Sequence, residues 1–270
     1  MLLGKYVALR LSINASKTKL LIFSRPRFVS SSTPQLFVNG VQLEAVSSVR
    51  YLGVTLYSKL TYVSHTYETV AKVKRSFGYL CSRFRNSVSK AILSYFFVTL
   101  FRSVLVYAIE AYYPRVDYGR KAIEKCQKFA CRLILRNYSR SVTYSSLLSS
   151  LNWQPVYKYV FVRRLFFVYS VASNRRFFPG GFFVLLYRSN RRHSVRTNHP
   201  LSLDLSCFRG KHSSTSVFGL SSVAFNALPA ALFSLSTKQF VRALSGDDVF
   251  DHVMNSLRLS NLVVVSEFDF

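Results

Sequence analysis

An α+β fold is what this 270-residue chain predicts: a small antiparallel β unit followed by a mostly helical region and a helical carboxy-terminal segment. Three observations carry that expectation. Leu36–Val46 places Asn39-Gly40 between two apolar runs, the strongest short-range hairpin signal. From Thr61 the hydrophobic period changes from two to 3.6. Asp117–Asn137 then separates a basic stripe from an apolar one at helical spacing. The expected boundaries are 1–60 for the β unit, 61–172 for a helical domain, 173–216 for a basic linker and 217–270 for the last segment.

The elements follow in order. Residues 1–23 read as a lead-in, a polar turn and a strand at Leu20–Phe23; Pro26 and Ser30–Pro34 are loop. After the Asn39-Gly40 hairpin, Val49–Leu56 reads as a strand, with Gly53 inside it marking a bulge or a close backbone approach. In the helix after Thr61, Val70, Val73, Phe77, Leu80, Cys81 and Phe84 share one face, leaving Lys72, Lys74, Arg75, Arg83 and Arg85 elsewhere. Ser89–Tyr113 reads as a second helix. Its stretch Ala91–Ala108, ~27 Å as a helix, approaches bilayer thickness. Arg102 near its centre, with Ser94, Thr99 and Ser103, favours a buried protein helix whose arginine reaches a rim or an anion.

In Asp117–Asn137, Asp117 is the expected N-cap and Glu124 the expected partner of Lys128. Lys121, Lys125, Lys128, Arg132 and Arg136 form one stripe; Ile123, Cys126, Ala130, Leu133 and Ile134 form the opposite face. Thr143–Leu151 is a short helix, Asn152–Pro155 a turn with Trp153 as a packing anchor, and Val156–Ala172 another helix. Pro179-Gly180-Gly181 marks a connection within 177–190, and 188–196 is a basic segment. Asp247-Asp248 resembles a polymerase Gly-Asp-Asp turn, but no apolar strand precedes it. Capping of a final helix, Val249–Leu259, is the expectation.

Charge narrows the partners. Lys and Arg number 37 against 11 Asp and Glu, a formal net charge of +26. Between Lys125 and Leu203 fourteen basic residues occur and no acid. Such a chain repels itself when compact and calls for a polyanion, nucleic acid first and an anionic membrane surface second. Cys81, Cys126, Cys131 and Cys207 form no CxxC pair, as in a reducing, intracellular setting, nucleus or cytoplasm. The five histidines show no metal spacing, and no P-loop, Rossmann or G-x-S-x-G motif occurs.

One family matches these motifs in order. Asn14-Ala-Ser-Lys17-Thr18-Lys19, the Asn39-Gly40 hairpin and Tyr51-Leu52-Gly53-Val54 resemble the end of the palm in reverse transcriptases of non-LTR retrotransposons. Leu60, His65, Gly78, Arg102, Tyr107-Ala108, Pro114, Phe225-Asn226-Ala-Leu228-Pro229 and Ser236–Leu244 resemble their thumb and carboxy-terminal segment, Tyr112-Tyr113 and Phe225 standing where Trp is common. The resemblance covers nearly all of 1–245. It implies RNA and DNA, as template–primer, for partners. Lys17 would lie near an incoming nucleotide and assist proton transfer, and Lys19 would join it among the nucleic-acid-binding residues. Tyr51, Leu52 and Gly53 would grip the primer end. The family's catalytic aspartates lie upstream of the Lys17 motif, and no aspartate pair stands before residue 200 here. The expectation is therefore a fragment that binds nucleic acid and does not polymerise alone. It binds no cofactor itself, while Mg²⁺ is implied for the full-length enzyme. No catalytic or metal-ligating residue, no specific small molecule and no oligomeric state follow from the chain. Two alternatives stay open: a basic membrane-associated helical protein, and a degenerate remnant without function.

Overall fold

The computed structural model of the chain describes residues 13–23, 34–84, 86–114, 116–173, 201, 203, 205 and 217–259, with the side chains of 217, 218, 258 and 259 left aside. The lead-in at 1–12, the segments 177–190 and 188–196, Cys207, His193, His199 and His212 lie outside the described residues. The architecture is α+β, with short strand pairs before a predominantly helical remainder. The chain divides into two compact units, Met1–Lys72 with Pro114–Ala122, and Val73–Tyr113 with Ile123–Phe270.

The first unit holds the strands. A 3-10 turn, Ala15–Lys17, is capped by the Asn14 side chain and feeds β1, Lys19–Leu21. Strands β2 (Phe37–Val38) and β3 (Val41–Gln42) pair across Asn39-Gly40, both in the left-handed region with φ of 52° and 77°. Both signs suit a two-residue type I′ turn, which matches the twist of the paired strands. Strand β4 (Glu44–Val46) pairs with β1 in parallel, Lys19 opposite Glu44, so the unit is not antiparallel throughout. The expected single strand Val49–Leu56 is instead a second hairpin, β5 (Ser48–Tyr51) and β6 (Val54–Tyr57). Its turn is Leu52-Gly53, φ 47° and 84°. Gly53 therefore supplies a left-handed turn rather than a bulge. His65 lies at the start of helix α1 (Val63–Phe84), and its Nδ1 accepts the Thr55 N–H of β6 at 3.4 Å. Burial lowers the His65 pKa, in keeping with a structural imidazole.

The second unit is helical. On its part of α1, Val73, Phe77 and Cys81 are buried, while Phe84, at the helix end, is half exposed. The expected helix Ser89–Tyr113 is broken into pieces. It runs as α2 (Lys90–Phe96), capped by Ser89, then a π turn Phe97–Phe101, then α3 (Arg102–Leu105) and α4 (Ile109–Tyr112). The wide turn lets the Arg102 N–H bond to Phe97 O, and Ala108 at φ 52° ends the run. The Tyr112 hydroxyl donates to Leu105 O at 3.0 Å, which caps a carbonyl freed by the break. Phe77 packs edge-on to Phe97 and Phe101, and Phe97 stacks on Trp153 at 5.0 Å. Trp153 is thus a packing anchor.

Helix α5 (Asp117–Leu135) begins at Asp117 rather than after it, and the Asp117 carboxylate pairs with Arg120. It stops two residues before the expected end, because Arg136 turns left-handed at φ 57° and Asn137 N–H bonds back to Arg132 O at 3.2 Å. Helix α6 (Tyr144–Leu151) is capped by Thr143 and terminated by left-handed Asn152. Helix α7 (Val156–Ala172) packs against α8 (Val217–Asn226) and α9 (Thr237–Leu244), and its Tyr157 and Phe161 rings meet Phe250 of α10 (Asp247–Leu259). Leu165, Phe225, Phe240, Leu244 and Val253 lie in that core. In the Phe225–Pro229 stretch, the Asn226 amide bonds both N–H and O of Leu203 at 2.9 Å. A capping box between Ser236 and Gln239 starts α9. Asp247 and Asp248 form the first turn of α10, which begins with them. Among the described residues no helix is long and apolar enough to cross a membrane.

Candidate nucleic-acid interface

Helix α5 carries the densest ordered charge. Its apolar side is fixed by burial of Ile123, Cys126, Ala130, Cys131 and Ile134. That turns the basic side outward: Lys121, in the first unit, is exposed, and in the second unit Lys125 and Arg136 are exposed with Lys128 and Arg132 half-buried between them. Lys128 titrates below its ordinary value because of partial burial and then the charges of Arg132 and Lys125. Arg132 Nη2 reaches Ser139 O at 3.5 Å, a long contact, and its Nε is buried with no hydrogen-bond partner among the described residues. Lys74 of α1 adds a cation over the face of Phe129, 5.7 Å from its centroid, beside Lys125 on the same helix turn.

The helix is held in place by Glu124, which does not pair with Lys128 as expected. Its side is inward, 1% exposed, and it accepts three hydrogen bonds. Tyr144 Oη donates to Oε2 at 2.7 Å, Val156 N–H to Oε2 at 3.2 Å and Tyr157 N–H to Oε1 at 2.8 Å. The two amides belong to the first turn of α7, whose N-cap is Pro155 and has no side chain able to accept. Glu124 thus serves as a remote cap, tying α5 to α6 and α7. Burial pushes the carboxyl pKa up, while the three donors oppose that rise. The same contact drives the Tyr144 phenol well above its usual range, by burial first and then by the Glu124 charge. Gln127, also fully buried, donates to Gln154 O at 2.8 Å and adds a second tie to the same turn.

In the first unit, the Tyr51-Leu52-Gly53 tip projects into solvent, with Tyr51 62% and Leu52 73% exposed above buried Val54. A bulky apolar residue at positive φ is an uncommon backbone choice. Lys17 is exposed at the end of the 3-10 turn, and Lys19, on β1, pairs with Glu44 across the parallel ladder. Among the described residues no three His, Cys, Asp or Glu side chains gather to hold a metal ion. Asp247 is engaged by Lys158.

Sequence reasoning found the stripe, read the Leu52-Gly53 tip as the inside of a strand, and missed the Glu124 lock. One signal pointed to it. Asn152-Trp-Gln-Pro155 opens a helix with no capping side chain at Pro155, so the amides behind it need an acceptor from elsewhere. Comparison with protein-family models, curated proteins and solved structures finds no match to any of them.

Proposed function

We propose that this chain is a nucleic-acid-holding piece of a reverse transcriptase of the non-LTR retrotransposon kind, binding template–primer through its phosphate backbone and contributing no catalytic aspartates of its own. The observation that carries the reading is the basic side of α5: four cations on one helix, held rigidly by a carboxylate buried on the other side. The order of the Lys17, Asn39-Gly40 and Tyr51-Leu52-Gly53 motifs supports it, as does the projection of the last of them from the first unit. Cations on a helix face meet phosphates rather than base edges, so binding is indifferent to base sequence. Each phosphate contact releases condensed counterions, and log affinity for a duplex falls with log salt by roughly 0.9 per contact. Replacing Lys125, Lys128 and Arg132 by Ala should weaken binding to an RNA–DNA hybrid and flatten that slope by about two to three units. The apolar side of α5 is untouched, so the fold persists. Unchanged affinity and slope in the triple variant would place the stripe in solvent and the nucleic-acid site elsewhere. Primer extension with dNTPs and Mg²⁺ by this chain alone would overturn the non-catalytic part.

A second reading, a membrane-surface protein, is favoured by one observation. Ile92, Tyr95, Leu100, Val104 and Tyr107, all on the broken segment after Ser89, are exposed. Retention of the purified chain on anionic vesicles in high salt would support this reading against the first.

A further inference from the structure

A second group of cations, away from α5 in sequence, has no role in the reading above. Arg102 opens α3, Glu110 lies on α4, and Tyr159, Arg163 and Arg164 lie on the first half of α7. The Arg102 guanidinium stands 5.7 Å from the Tyr159 ring centroid and that of Arg163 stands 5.4 Å from it. Arg163 also donates to Tyr159 Oη at 3.2 Å and pairs with the Glu110 carboxylate. Arg164 donates to Glu110 O at 3.3 Å and lies over Tyr113, 5.3 Å from its centroid. Among the described residues the half-buried guanidiniums of Arg102 and Arg163 have one carboxylate between them, Glu110, and it is taken by Arg163. Arg102 has neither a carboxylate nor a hydrogen-bond acceptor for its guanidinium among the described residues, where it stands over the Tyr159 ring. Burial lowers the Arg102 pKa; a guanidinium stays charged in proteins.

We propose that Arg102 and Arg163, on the two helices that meet at Tyr159, form a binding site for a phosphate monoester. The shape argument is the guanidinium fork, which binds two oxygens of a tetrahedral anion at once. The charge argument is the excess of arginines over carboxylates, which a dianion offsets better than a single carboxylate does. Arg163 can turn part of its fork to the anion while keeping Glu110, and Glu110 then acts as a competitor for the same cation. Free phosphate and the phosphorylated 5′ end of a nucleic acid present the same chemistry to this site.

The test uses the full chain in chloride buffer. Calorimetric titration with inorganic phosphate should show binding in the millimolar range or tighter. Arg102→Gln should weaken it about tenfold, and Arg102→Lys, which keeps the charge and loses the fork, by a smaller factor. Glu110→Gln should tighten it severalfold by releasing Arg163. The triple variant of Lys125, Lys128 and Arg132 should bind phosphate as the native chain does, which separates this site from the α5 surface. A short oligonucleotide with a 5′-phosphate that outbinds its 5′-hydroxyl twin, with the advantage lost in Arg102→Gln, assigns the site to nucleic-acid ends. Equal binding of the twins alongside retained phosphate binding assigns it to free phosphate. No phosphate binding by the native chain, or native affinity in Arg102→Gln with melting temperature unchanged, would show the arginines to be only a structural brace. Loss of affinity in Glu110→Gln at unchanged melting temperature would overturn the competitor role and the site with it.

Discussion

Glu124 shows how one side chain can decide the placement of a surface it does not belong to. It stands between Ile123 and Lys125, yet the lysine faces solvent and the glutamate faces two backbone amides and a phenol. Replacing it by Ala should cost about 3 kcal/mol or more, because three buried donors lose their acceptor together. Tyr144→Phe removes one of the three and should cost about 1–2 kcal/mol. Both are read from urea melts. The pH dependence has a definite sign. Because burial raises the folded pKa above the ordinary 4.5, the folded chain holds the proton more tightly than the unfolded one. The carboxyl's contribution is therefore fully present below about 4.5 and is lost as pH rises through the folded pKa. Against Glu124→Gln, which does not titrate, the native chain should lose relative stability as pH climbs from that value toward neutrality. A difference in melting temperature that grows with pH would reverse the assignment. The helical period placed Glu124 at the edge between two faces, where spacing cannot say which way a side chain turns. Its direction was decided by α7, which lacks a cap of its own.

At the scale of elements, turns were more legible than long helices. Asn39-Gly40 was readable because both residues accept positive φ readily. Leu52-Gly53 was read as the inside of a strand, since leucine rarely occupies that backbone; the hairpin's strands override the residue's preference. That conflict makes a prediction. Leu52→Asn should stabilise the hairpin by ~1 kcal/mol, because asparagine tolerates the left-handed region better. If the tip meets a primer, the same change should weaken template–primer binding while raising the melting temperature. A gain in stability with unaltered binding would leave Leu52 without a part in recognition. The run from Ser89 to Tyr113 misled in the opposite direction. Its composition is largely apolar, and neither Pro nor Gly marks the π turn or left-handed Ala108. These breaks follow from how Phe97, Phe101 and Tyr112 pack, which periodicity along one segment does not contain.

Over the whole molecule the charge sets the terms. A formal +26 held on a folded chain is repulsive, and screening should relieve it. Raising NaCl from about 50 to about 500 mM should therefore raise the melting temperature by a few degrees, while binding to nucleic acid weakens over the same range. A melting temperature that falls with salt would mean that attractive pairs such as Lys158–Asp247 outweigh the repulsion. The strand pairs add a matter of timing. The two hairpins join neighbours in sequence and can close within about 1–10 μs. The parallel pair must bring Lys19 to Glu44, 25 positions away, with the Asn39-Gly40 hairpin inside the loop being closed. Closure of that loop costs chain entropy before any ladder bond repays it. In pulse-labelled refolding, the amides of β5 and β6 should thus become protected before those of β1. Glu44→Ala, by loosening only the last pairing formed, should speed unfolding and leave the refolding rate where it was.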